Sequence, residues 1–277
     1  MPALSFLILF TFYPIIKTIK LSFYKISLGL PEPIYNGIQN YHDLLSDDTF
    51  WRVMKNTGIF VLGTVVFSMI LALIMALFVN EKIKGMKWLR ASFFYPAVIP
   101  GIAVANIWLF IYTPQFGLLD NFLKFFGINN LNLLGNTETV LWATIVMTIW
   151  KQAGFYMIFY LSGLQNISQD LYEAASIDGA SSWCIFKKIT FPLLMPTNTF
   201  VFIIATIRSF KLVDHLVIMT QGGPDNASNL LLFYIYEVAF KFWNEGKAAT
   251  LTVIMLIILL IISSIQFFVL EKRTYYR

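Results

Sequence analysis

The 277-residue chain has one cysteine, Cys184, and two histidines, His42 and His215. A lone thiol excludes an internal disulfide framework and any cysteine-cluster metal site. The two histidines are far apart and sit in no metal-ligand spacing. Charge is scarce as well: Asp, Glu, Lys and Arg make up 13% of residues, against about a quarter in a soluble domain. No Rossmann or Walker glycine motif occurs, and no G-x-S-x-G. The sequence therefore offers no catalytic centre, no metal site and no cofactor site of its own, and reads as a non-enzyme. A net charge of +5 could suggest nucleic acid, but the basic residues are scattered between apolar runs. Such a distribution excludes a nucleic-acid partner.

What the chain has in quantity is apolar sequence, 58% of residues, with a mean hydropathy of +0.70. Lipid bilayer is the implied surrounding. A spanning helix needs about 20 mainly apolar residues, and six segments qualify: Pro2–Phe23, Thr57–Val79, Ala91–Tyr112, Thr139–Gly163, Thr197–Thr220 and Ala248–Leu270. The first lacks the basic n-region and A-x-A site of a signal peptide, and its apolar character runs past Pro14. The third contains Pro96, Pro100 and Gly101 and is expected to kink or break. No internal repeat, low-complexity tract or linker interrupts the chain. The expectation is an all-α membrane protein, a single six-helix domain over residues 1–277.

Orientation follows from Lys and Arg placement. With both termini cytoplasmic, Lys82, Lys84, Lys87, Arg90, Lys187, Lys188, Lys272, Arg273 and Arg277 lie inside. Lys25, Arg52, Lys55, Lys124, Lys241 and Lys247 then lie in longer outer segments, so the basic density is higher inside. This arrangement puts residues 164–196 in the cytoplasm, between the fourth and fifth spans.

That loop contains "EAASIDGASSWCIFKKITFPLLMP", residues 173–196. Leu171, Glu173, Ala174 and Ala175 favour helix, and Gly179 supplies a left-handed end. Ser181 or Ser182 can cap a second short helix, which Pro192 is expected to stop. Small residues would let another surface approach closely, and Glu173 and Asp178 offer charge to a basic partner. An amphipathic helix lying on the lipid surface is the alternative.

The stretch resembles the EAA signature of permease subunits in binding-protein-dependent ABC importers. In that pattern E-A-A is followed by three residues, G, nine residues and I-x-L-P. Glu173, Ala174, Ala175, Gly179, Ile189 and Pro192 match, with Phe191 in place of the usual leucine. Asp178, Ala180, Phe186 and Pro196 fit the longer carbohydrate-type form. Residues 210–240 are similar to the outer end of the fifth helix of sugar-type permeases, through Asp214, Thr220, Gly222, Gly223, Pro224, Tyr234, Tyr236, Ala239 and Phe240. Lys211-Leu212-Val213 depart from it where an aromatic is usual.

The resemblance implies a type I (MetI-like) permease in the inner or plasma membrane of a bacterium, forming half of a pore. The implied partners are a second homologous permease, two ABC ATPase subunits that bind the ATP, and an extracytoplasmic solute-binding protein. The implied cargo is a sugar or oligosaccharide, with glycerol 3-phosphate or an acidic saccharide as the alternative. An ion-driven secondary transporter, which would need no ATPase and no EAA loop, is the rival from another class.

Charges inside spans are costly and face a cavity or a partner. Lys17 and Lys20 can snorkel at the end of the first helix. Lys151 is placed in the fourth span, for packing or for lining a path. In the fifth, Arg208, Lys211 and His215 are spaced by three and four, which on an unbroken helix puts them on one face. Asp214 would pair with Lys211 there. Counting about 1.5 Å per residue from Thr197, Arg208 lies about 17 Å in, near mid-bilayer. That face either lines the substrate path or forms a structural ion pair with a neighbouring helix.

Overall fold

The computed structural model describes residues 2–27, 29, 32–81, 84–127 and 131–271. Lys82, Lys272, Arg273 and Arg277, four of the cations counted as cytoplasmic, lie outside these described residues. Among the described residues the regular structure is helical apart from one small hairpin, in which β1 (Tyr24–Lys25) pairs antiparallel with β2 (Ile34–Tyr35). The helices, in chain order, are α1 (Ala3–Leu21), α2 (Gln39–Leu45), α3 (Asp48–Val79), α4 (Met86–Val98), α5 (Gly101–Tyr112), α6 (Leu118–Lys124) and α7 (Val140–Gln165). There follow α8 (Gln169–Ile177), α9 (residues 182–193), α10 (Met195–Phe210), α11 (Asp214–Met219), α12 (Leu231–Tyr236) and α13 (Glu245–Glu271).

Among the described residues, α1, α3 and α13 are each long and apolar enough to cross a membrane, and α4 with α5 passes the same test as a pair bent by 98°. All six expected spans are helical, with two of them broken. The break in the third follows from Pro100, since the residue before a proline avoids helical backbone; Ile99 is extended at φ −65°, ψ 134°. The fifth was expected to be continuous and is not: α10 ends at Phe210 and α11 begins at Asp214. Lys211 caps the C-terminus of α10 and Asp214 opens α11, each matching the partial charge of its helix end.

α3 and α7 form the central pair. Ala72 and Ala76 of α3 and Tyr156, Met157 and Tyr160 of α7 are buried together, and α10 and α13 close over them. α4 crosses α7 so closely that a Cβ on Gly154 would collide with the Phe93 carbonyl. Side-chain hydrogen bonds join the bundle, as suits helices that gain little from apolar contact in lipid. Thr64 Oγ1 donates to Ser209 Oγ at 3.0 Å, Gln266 Nε2 to Thr206 Oγ1 at 2.9 Å, and Tyr160 Oη to Asn198 Oδ1 at 2.5 Å. By contrast α1 buries nothing along its apolar window, the condition of a helix facing lipid.

Candidate functional site

The 164–196 loop folds as two helices joined by a tight turn. Ser168 caps α8 by accepting from the Asp170 N–H at 3.3 Å. Glu173 Oε1 accepts from Gln169 Nε2 at 2.9 Å on the exposed side. At the other end Gly179 has φ +74°. The Ala180 N–H bonds back to the Ala175 carbonyl and the Gly179 N–H to that of Ser176, at 3.0 and 3.1 Å. These two bonds are a Schellman motif, which needs a left-handed residue where Gly179 sits. Asp178 is the C-cap itself.

Ser181 then caps α9 by accepting from the Cys184 N–H at 3.3 Å. Contrary to expectation, Pro192 does not stop this helix. Residues Phe186–Thr190 form a π turn in which the Phe191 N–H reaches back to the Phe186 carbonyl. The widened turn accommodates the proline ring and its missing donor. Pro14 in α1 is carried the same way, with the Tyr13 N–H bonded to the Ile8 carbonyl.

No residue of α8 is buried. Its contact with the rest of the loop includes Tyr172 Oη, 3.2 Å from the Oγ1 of buried Thr190, a link without a signal in the sequence. Ala174 is exposed, Ala175, Ala180 and Ile189 are half-buried, and Phe186 stacks on Trp183 at 5.6 Å and meets Phe191 at a tilt at 6.0 Å. Ile177 is 87% exposed and Trp183 70% exposed. The loop thus presents small residues, two apolar side chains and the carboxylates of Glu173 and Asp178 outward.

A second feature lies in the bundle. Lys151, Arg208 and Lys211, three of the four intramembrane charges singled out from sequence for the path, line one cavity of about 280 Å³ with Gln152, Phe155 and Leu212. The Arg208 guanidinium lies 3.8 Å from the centre of the Phe155 ring. Phe155 is four residues from Lys151, so helical spacing alone could have found it. Lys151 Nζ donates to the Ile99 carbonyl at the break between α4 and α5. Asp214 lies on the other side of that break, packed over Gly101.

The helix is broken at 211–213, and the expected shared face is lost: Arg208 and Lys211 are exposed while His215 is not. His215 is buried and stacks on Phe60 at 5.6 Å, and no Lys211–Asp214 ion pair forms among the described residues.

At the outer end, the Gly222–Leu231 turn is tied to the start of α3. Arg52 Nη1 donates to Asp225 Oδ2 at 2.6 Å, Asn56 Nδ2 to the Asn226 carbonyl at 2.8 Å, and the Leu231 N–H to Thr57 Oγ1 at 2.9 Å. Asp47 accepts from Lys247 at 2.7 Å and from Tyr234 Oη at 3.2 Å. These anchors at the start of α3 were not found from sequence, because they sit 170 or more residues from their partners.

An exposed helical loop between α7 and α10 and a cation-lined cavity in a broken apolar bundle fit a membrane transport component. Residues 68–275 match the family model of the binding-protein-dependent transport system inner membrane component, and the chain belongs to that family. It is 35% identical over 246 residues to the trehalose/maltose transport system permease protein MalF of Thermococcus litoralis, covering 89% of this chain and 82% of that protein. It is 32% identical over 277 residues to the sn-glycerol-3-phosphate transport system permease protein UgpA of Agrobacterium fabrum, covering 99% and 94%. A chain of a solved bacterial ABC transporter involved in the import of the acidic polysaccharide alginate superposes with a TM-score of 0.88 at 22% identity, covering 99% of this chain and 94% of that one. This last match establishes the shared fold.

Proposed function

We propose that the chain forms half of the pore of an ATP-driven importer for a sugar or oligosaccharide, coupled to separate ATPase subunits through α8. A second homologous permease completes the pore, two ATPase subunits bind the ATP, and a solute-binding protein delivers cargo from outside. Both termini face the cytoplasm, with the protein in the inner or plasma membrane of a bacterium. Glu173, Ala174, Ala175, Asp178, Gly179, Ala180, Phe186, Ile189 and Pro192 make up the coupling segment. Lys151, Arg208, Lys211 and Asp214 belong to the path.

The observation that carries this reading is α8 itself, a nine-residue helix with nothing buried and a fixed C-terminal cap. A helix that buries no face within its own chain gains its stability from something else that packs on it. The relatives named above, permeases for trehalose/maltose and glycerol 3-phosphate, support the cargo class. Deleting residues 173–180 is expected to leave the chain inserted and to abolish co-purification of the ATPase in mild detergent. Normal co-purification from that deletion overturns the coupling role.

A further inference from the structure

We propose that the cavity between α7 and α10 binds an oxyanion of the cargo, so that the chain serves a saccharide carrying carboxylate or phosphate rather than a neutral one. The inference rests on the importer reading and specifies its substrate.

Among the described residues, three cations and no carboxylate line the cavity; Asp214, the carboxylate of the path, sits outside the lining over Gly101, where its charge acts on Lys151. Lys151 is committed to the Ile99 carbonyl at 2.6 Å. Arg208 and Lys211, by contrast, have no carboxylate within ion-pair distance and no side-chain hydrogen bond among the described residues. Both are exposed in this subunit, and cations this deep do not face lipid. They face water, cargo or another chain.

The chemistry of the lining decides which cargo fits. Lysine and arginine donate hydrogen bonds and accept none, whereas each hydroxyl of a neutral sugar both donates and accepts. The one side-chain amide acceptor in the lining, Gln152 Oε1, already takes the Tyr156 hydroxyl proton at 3.0 Å. The side chains therefore present donors almost alone, which suits an acceptor-only group. The Arg208 guanidinium carbon sits over the Phe155 ring at 3.8 Å, and its N–H groups have no side-chain partner among the described residues. Those groups form a fork matched to the two oxygens of a carboxylate or phosphate.

The test uses the whole importer, with its partner permease, ATPase subunits and binding protein, in proteoliposomes. Uptake of digalacturonate, glycerol 3-phosphate and maltose is compared. An oxyanion probe is expected to be taken up in preference to maltose, and the choice between the two anions separates a carboxylate from a phosphate source. Arg208→Gln and Lys211→Gln are each expected to lower that uptake roughly ten-fold or more, the usual weight of a hydrogen bond to a charged group. Where Arg208→Gln does not assemble, Arg208→Lys, which keeps the charge and loses the fork, gives the same readout. Preference for maltose overturns the oxyanion site and leaves the sugar permease standing. Unchanged anion uptake by both variants in assembled complexes also overturns it. Absence of any co-purifying ATPase instead overturns the importer reading beneath it.

Discussion

Lys151, within α7, donates from Nζ to the carbonyl of Ile99 at 2.6 Å. Ile99 is the residue whose extended backbone breaks the third span, and the break leaves carbonyls at the end of α4 without helical partners. Backbone groups in a membrane must be satisfied from within the protein. One lysine therefore helps the bundle tolerate Pro100 while its stem lines the cavity.

Replacing Lys151 with Met is expected to destabilise the purified complex by about 1 kcal/mol, the low end of the cost of an unpaired acceptor, because the Ile99 contact is partly buried. Lys151→Arg, which keeps a donor, should lose less. Thermal unfolding in detergent measures both. A Met variant as stable as wild type would show that Ile99 finds water instead.

The contact of α4 with α7 predicts intolerance at Gly154. A side chain there meets the Phe93 carbonyl rather than a movable side chain, so α4 itself must shift. Gly154→Leu is expected to cost roughly 1–3 kcal/mol, the range for overpacking, and to lower the yield of folded protein. Full yield with an unchanged melting temperature would contradict the close crossing.

How much of this was legible beforehand differs by element. The six apolar segments and the weak point at Pro100 were readable, since length, hydropathy and proline act locally. The Gly179 cap was readable for the same reason. The path of α9 through Pro192 was not, because a π turn is a geometric accommodation with no composition of its own. Nor was the break at Lys211–Val213: the spacing of Arg208, Lys211 and His215 assumed an unbroken helix. Pairs such as Arg52 with Asp225 depend on the fold bringing distant segments together.

Asp47 carries a pH dependence on the outer face. Partial burial raises its pKa, but the hydrogen bond from Lys247 and the Thr49 N–H outweigh that and hold it below the ordinary 3.8. A carboxylate with a depressed folded pKa adds stability that is present above its unfolded value and is lost as pH falls through the folded one. The melting temperature is therefore expected to drop on acidification below about pH 4, more steeply in wild type than in Asp47→Asn. Parallel curves for the two would remove the Asp47–Lys247 contact from the stability of the outer face.

Sidedness is tested with cysteines. Asp48, at the start of α3, and Lys187, in the π turn of α9, are both exposed. In a Cys184→Ser background, Asp48→Cys is expected to react with an impermeant maleimide added outside cells. Lys187→Cys should react only after the membrane is opened. Labelling of both from the same side would invert or discard the proposed topology.

Gly179 separates a turn from a docking surface. Its φ of +74° disfavours most side chains, at a cost of about 1 kcal/mol or more. Within the chain, however, an added Cβ meets nothing within 4 Å. Any larger effect of substitution must therefore come from a surface outside this subunit. Asparagine tolerates the left-handed conformation and valine does not, so the two substitutions divide the cost. If α8 seats in an ATPase groove, Gly179→Val and Gly179→Asn should both lower substrate-stimulated ATP hydrolysis and uptake together, with insertion near normal. If α8 lies on lipid, Gly179→Asn should behave as wild type and Gly179→Val should show no more than the backbone strain, because lipid adapts to a side chain. Proteoliposomes containing the full complex, with binding protein and cargo added, give the measurement. Wild-type stimulation in both variants would leave Gly179 as a turn and place the docking contact elsewhere on α8.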